Sequence, residues 1–282
     1  MRIPGCLALG LALAALPAMS RSEGLPKIYA LVGAVGAQFS VVHEVQRTGS
    51  HLAPYRRSAV DATNNVLNRL VLESLDKAIA NVEPESQRIY LAIAPGRMEE
   101  VAPALRESVA IGQVVAELEK MPQRLNWDRV VVVTPAYEAL ERDGMASRLQ
   151  GLGLFLEPLC QSDALSCEYN FRPPSGPKAE TPQGETISTN YFVAPYSYIE
   201  VWVLDAKTLA VLDKQRSLEN RKLFDPRSDS QDLARNIDKR VLAAHIANVV
   251  DLSVREAVMH TELRGKVEVT EPREVKPGDA GK

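Results

Sequence analysis

Residues 191–212, YFVAPYSYIEVWVLDAKTLAVL, read as a long strand, a tight turn at Asp205-Ala206-Lys207-Thr208, and a return strand. Ser197, Ile199, Val201 and Val203 point one way, and Tyr196, Tyr198, Glu200 and Trp202 the other. The turn carries residues that hydrogen-bond their own backbone, and β-branched and aromatic residues fill its flanks. Pro195 predicts an edge or a bulge near the start of the strand. Behind the hairpin lies the longest helical pattern in the chain, opened by Asp229 or Ser230. Its stripe is Leu233, Ile237, Val241, Ala244, Val249, Leu252 and Val258. At 1.5 Å per residue such a helix is roughly 40 Å long, enough to cross a sheet and cover one face of the hairpin.

Working outward, Lys27–Val32 and Gln38–Val45 read as strands, joined by Gly33-Ala34-Val35-Gly36. That glycine-rich joint looks like a phosphate loop, but the segment after it alternates like a strand, whereas a phosphate loop must open a helix. A hairpin is the expected arrangement. Arg47–Tyr55 is a connector, and Ser58 with Asp61 predicts a helix start by a variant capping box. The stripe Val66, Leu67, Leu70, Val71, Ser74, Leu75, Ala78, Ile79 and Val82 carries that helix, and Pro84 lies just past its end. Arg88–Ala94 predicts a fully buried strand. A helical region then runs to Lys120, with Val101, Leu105, Val109 and Val115 spaced for burial.

Trp127–Thr134, WDRVVVVT, is what a central parallel strand buried on both faces looks like. Tyr137–Leu149 predicts a modest helix, Gly151–Leu156 a short strand, and residues 161–190 a long loop rich in Pro, Ser, Gly and Thr. The tail 265–282 is expected as a loose strand at Lys266–Thr270 or as disordered chain. Strands alternating with helices predict an α/β fold: one mixed-sheet α/β sandwich over residues 21–264, with a hairpin at each end of a βαβ core and a long C-terminal helix.

The start of the chain predicts export. Arg2 supplies a positive charge, Cys6–Leu16 is an apolar run, Pro17 breaks it, and Ala18-Met19-Ser20 places small residues where a signal peptidase cuts. Residues 1–20 are therefore expected as a signal peptide, because the run is shorter than the roughly 20 residues a spanning helix needs. The mature chain is expected to be periplasmic or secreted, without a transmembrane segment. Of the three cysteines, Cys160 and Cys167 then remain, and an even count in an oxidising compartment predicts a disulfide. A net charge of −3 and a pI near 5.9, with no clustered Lys and Arg, argue against nucleic acid.

Signals for chemistry are sparse. His43-Glu44 lacks the second histidine of a zinc-peptidase helix, since Arg47 stands there, and the segment reads as a strand. There is no Gly-x-Ser-x-Gly elbow and no Walker loop, so no catalytic residue, metal or cofactor is assigned. In open parallel sheets ligands gather beyond the carboxyl ends of strands. Arg97, Thr134 and Tyr137 lie at two such ends as candidate ligand-binding residues, with turn-forming as the alternative role. Tyr196, Tyr198, Glu200 and Trp202 are a candidate interaction face, because aromatics with polar tips suit recognition; they suit a helix-covered sheet face equally well.

Ile199–Leu212, IEVWVLDAKTLAVL, followed by a long closing helix, resembles the hairpin-plus-helix end of small α/β modules in bacterial envelope proteins. Curli-secretion lipoproteins and the N-terminal domain of the Tol β-propeller protein are examples. The resemblance covers about a quarter of the chain, without the lipidated cysteine of the first family or the propeller repeats of the second. It implies a non-enzymatic role binding another envelope protein. The alternative is a hydrolase or small-ligand binder with a site near Arg97 and Thr134.

Overall fold

The computed structural model describes residues 26–44, 55–96, 98, 100–137, 149–158, 178–180, 186–188, 191–223 and 237–264. The proposed signal peptide, Arg97, the helix expected after Tyr137, Cys160, Cys167 and the tail 265–282 lie outside the described residues. Eight strands form one mixed sheet: Ile28–Gly33 (β1), Gln38–Glu44 (β2), Tyr55–Asp61 (β3), Gln87–Ala92 (β4), Arg129–Pro135 (β5), Gly151–Pro158 (β6), Tyr191–Asp205 (β9) and Val211–Asn220 (β10). Lys178–Glu180 (β7) and Thr186–Ser188 (β8) pair with each other, so the segment expected as loop holds a short hairpin. Among the described residues the α-helices are Val66–Val82 (α1), Arg106–Glu119 (α2) and Lys239–Met259 (α3).

The sheet is organised around β9. Its C-terminal half, from Ile199, pairs antiparallel with β5, and its N-terminal half, to Tyr198, pairs antiparallel with β6. Both lie along one edge, because β10 occupies the other from Tyr196 to Leu204. Two wings therefore hang on one strand: β4-β1-β5, all parallel, and β3-β2-β6, in which β2 is parallel to β6. Fifteen residues give β9 the length to serve both. Pro195 lies within this strand. Its missing N–H falls on the β10 side, where Arg221, just past the end of β10, still donates to the Pro195 carbonyl at 3.1 Å.

The alternation of β9 sorts two cores. Ile199 and Val201 join Leu31, Val131 and Val133 under α1 and α3, with Leu75, Ile79, Val250 and Val254 packed on them. Trp202 and Leu204 join Val32, Val130 and Val132 under α2, through Ile111, Val114 and Leu118. Val130–Val133 are fully buried, as a strand covered by helices on both faces requires.

Several expectations are corrected. β1 and β2 do not form a hairpin; β1 pairs with β4 and β5, and β2 with β3 and β6. Gly33 abuts α1 so closely that a Cβ would sit 2.8 Å from the Asn68 carbonyl oxygen, and the Val35 N–H donates to Asn68 Oδ1 at 2.9 Å. These contacts carry the chain from one wing to the other. The N-terminal hairpin is β2–β3 instead, and Ser58 belongs to β3. α1 begins at Val66, after Asn64 and Asn65 turn the chain with left-handed φ of 58° and 52°. β4 is an edge strand with Tyr90 53% exposed, since β1 is its one partner. The buried side of α2 is Ala110, Ile111, Val114 and Leu118, whereas Leu105 of the expected stripe is exposed and Val101, Val109 and Val115 are half-buried. α3 starts at Lys239, capped by Asp238, whose side chain accepts from Arg240 and Val241 N–H. It covers the Ser197–Val203 face, where Ser197 and Ser253 hydroxyls meet at 2.5 Å, and not the Tyr–Glu–Trp face.

Candidate functional site

The four residues of the Tyr–Glu–Trp face are interior. Tyr196, Tyr198, Glu200 and Trp202 are 0, 1, 0 and 6% exposed. As an interaction face they are therefore corrected to packing residues, and the Trp202 end is covered by α2, not by the long helix. Tyr196 lies over Gly153 of β6; a Cβ there would fall 2.6 Å from the ring and 2.3 Å from the Ser40 carbonyl oxygen. Burial pushes both phenols up to about 12; for Tyr198 the charges of Glu200 and Glu107 add to it.

Around Glu200 the registers of three elements converge. Glu200 faces Arg216 across β10 and Thr134 across β5, while Trp202 faces Lys214 and Val132. The Trp202 indole N–H donates to Thr134 Oγ1 at 2.9 Å, and Lys214 Nζ sits 5.0 Å from the indole centroid. From above, the first turn of α2 lowers Glu107 onto the same cations. Arg216 Nη2 reaches Glu200 Oε1 at 2.6 Å and Glu107 Oε2 at 3.1 Å, and Lys214 Nζ bonds Glu107 Oε1 and stands 4.0 Å from Glu200 Oε1. Glu200 Oε2 is buried without a hydrogen-bond partner.

The two carboxyls diverge. Burial, then the neighbouring Glu107 charge, push Glu200 up to about 8 against the pull of Lys214. Burial also pushes Glu107 upward, but Lys214, a hydrogen bond with Glu200 and the charge of Arg216 together hold it below the ordinary range. Its place in the first turn of a helix favours its anion further. The arrangement fastens a helix to a hairpin. The Thr134 hydroxyl is 1% exposed and accepts the indole N–H, and Glu200 is fully buried.

Of the candidates, Thr134, Tyr198, Glu200 and Trp202 are thus brought together. Tyr137 is half-buried just beyond β5. His245 is drawn below its usual value by burial and by Arg221, and exposed His260 bonds the Glu256 carbonyl at 2.8 Å through Nδ1. An open depression of about 550 Å³, lined by Ala78, Asn81, Arg255, Met259 and His260, lies between the ends of α1 and α3, on the other side of the sheet from Thr134. Among the described residues no group of His, Cys, Asp and Glu has the arrangement of a metal site, and no helix is long and apolar enough to cross a membrane.

Glu107, Lys214 and Arg216 were missed from sequence. Lys214 and Arg216 alternate in a run of polar residues, LDKQRSLEN, that carries little strand signal. A β-bulge at Val211–Asp213 also sets which face they take. Continuing the Val211–Leu204 register would put Asp213 opposite Trp202 and Gln215 opposite Glu200, and turn both cations to the far side.

The fold and site define a mixed-sheet α/β protein with a buried ionic cluster. No protein-family model matches the chain, and no curated protein matches it in sequence. Among solved structures it is similar to a Xanthomonas campestris protein of the DUF330 family, at 9% identity and a TM-score of 0.33, over 84% of this chain and 85% of that one. It is also similar to PelC, a dodecamer from Paraburkholderia phytofirmans, at 9% identity and a TM-score of 0.29, over 86% and 89%. A lipoprotein from Neisseria meningitidis shares 9% identity at a TM-score of 0.26, over 80% and 97%. Likenesses of this grade say nothing about activity or partner.

Proposed function

We propose that this chain is an exported, non-enzymatic protein of the cell envelope that works by binding another envelope protein. The start of the sequence supports export, with cleavage after Ser20, a single α/β domain over residues 21–264, and a disulfide between Cys160 and Cys167. The observation that carries the binding reading is where the sheet's polar groups go. Thr134 and Trp202 bond each other and Glu200 bonds Arg216 of β10, all three buried instead of facing a cleft. The small-ligand reading is weaker for the same reason, since the Thr134 hydroxyl it needs is taken.

Native mass spectrometry of the protein from its own host envelope, after mild cross-linking, separates the two. A stoichiometric protein partner retained on the mature chain is the expected result. A small molecule retained on an otherwise single chain, or turnover of ester or glycosidic substrates, would overturn the binding reading.

A further inference from the structure

The chemistry of the ionic cluster is incomplete without one more hydrogen. Both cations are committed: Arg216 gives Nε and Nη2 to Glu200 Oε1 at 2.8 and 2.6 Å, and Lys214 goes to Glu107 Oε1. Glu200 Oε2 is a buried acceptor without a partner, and Glu107 stands beside Glu200 as a second carboxyl, the two sharing Arg216 Nη2 at 3.1 and 2.6 Å. Two acceptors in contact are repaired by a single proton between them, as carboxyl pairs that share a site show. Removing it leaves a buried, unsatisfied anion against another anion, an arrangement interiors do not tolerate without rearranging. The surrounding groups are Glu107 from α2, Lys214 and Arg216 from β10, Tyr198 and Trp202 from β9, and Thr134 from β5. Lys214 and Arg216 are already paired, and the Trp202 indole N–H donates to Thr134 Oγ1.

We propose that Glu107 and Glu200 share one proton and form a proton-operated latch, which holds the first turn of α2 on the β9–β10 hairpin and lets go when the proton leaves in alkaline medium. The bond that breaks is the carboxyl O–H of the pair, and the proton passes to hydroxide or solvent with no other reactant. Access exists without exposing Glu200 itself, because the Glu107, Lys214 and Arg216 side chains are 27, 35 and 25% exposed. The direction is set by linkage. Glu200 binds its proton more tightly folded than unfolded, so the stability it contributes is complete below its ordinary unfolded value. That stability is lost as pH rises toward the folded value of about 8. Glu107 runs the opposite way, losing its contribution as pH falls through its lowered value, so the latch is firmest in mildly acidic medium, near the ordinary carboxylate value, and loosens steadily above it. This inference stands apart from the partner-binding proposal, since it concerns the chain alone.

The test is hydrogen exchange on the whole chain between pH 6 and pH 9, corrected for intrinsic rates, with the variant Glu200→Gln. The amide of that variant donates to Glu107 and accepts from Arg216 at every pH. In the wild type, exchange in residues 106–110 is expected to rise at least about tenfold across this range, while the variant stays flat. The variant is also expected to remove most of the fall in melting temperature between pH 6 and pH 9. Equal pH dependence in wild type and variant would overturn the latch. Should Glu200→Gln fail to fold, ¹³C-detected titration of Glu side-chain carboxyls in the wild type decides: one carboxyl losing its proton above pH 7 supports the latch, and all carboxyls ionised at pH 6 refute it.

Discussion

Replacing Trp202 with alanine should destabilise the protein without touching any surface it presents. The indole is 6% exposed and packs with Val32, Val130, Val132 and Leu204 beneath α2. Truncating such a ring costs roughly 3–5 kcal/mol through lost transfer energy and the cavity left behind. The change also strands the Thr134 hydroxyl, which accepts the indole N–H at 2.9 Å, and removes the ring beneath Lys214. Together these add about 1 kcal/mol, the scale of one net hydrogen bond. A loss of roughly 4–6 kcal/mol corresponds to a fall of about 10 °C or more in melting temperature for a chain of this size. Equilibrium denaturation in urea measures the free energy and circular dichroism the melt. Trp202→Phe, which keeps one aromatic ring and loses the N–H and part of the indole's volume, should cost less, about 2–3 kcal/mol. A Trp202→Ala protein that melts within a degree or two of wild type would refute the packing of this face under α2.

Other expectations rest on single contacts. Gly153→Ala drives a methyl against the Ser40 carbonyl and the Tyr196 ring, and should cost at least about 2–3 kcal/mol by denaturation; a neutral result would mean that β2 and β6 are not packed side by side there. Asp205 closes the hairpin turn by accepting from the Lys207 and Thr208 N–H and the Thr208 hydroxyl. The Thr208 backbone bond, then its hydroxyl, hold Asp205 below the ordinary carboxylate value. Its contribution should therefore be present above that ordinary value and fade as pH falls through the folded one, and a melt of Asp205→Asn should lack this acid limb. Intact mass of protein from its native host should start at Arg21, with Cys160 and Cys167 both resistant to thiol labelling until reduction. A chain retaining Met1 with two reactive thiols would remove the export proposal.

The elements that sequence disclosed are those whose signal is local. Four consecutive valines identify β5, the alternation from Tyr196 to Trp202 identifies β9, and the repeated stripe of α1 holds from Leu67 to Ile79. Periodicity depends on residues a few positions apart, so one chain segment contains it. It also sorted the two faces of β9, Ile199 and Val201 on one and Trp202 and Leu204 on the other, for its C-terminal half. Partnership is different, because it depends on residues far apart in sequence. The loop after β1 looks like a hairpin turn until Asn68, from a helix 33 residues on, takes the Val35 N–H. The Arg88–Ala94 run reads as central, yet β4 lies at an edge, since hydrophobicity does not say which neighbour is missing. Glu200 was visible as a carboxylate on an aromatic face. Its partners come from a polar strand whose facing depends on one bulge and from the first turn of a helix 93 residues earlier. What the sequence determined alone is the strongly periodic segments, β5, β9 and α1, and which of their side chains turn together. Tertiary structure alone decided that the turned-in carboxylate meets a second one and two cations, because register, bulge and helix placement are settled only when the whole sheet closes.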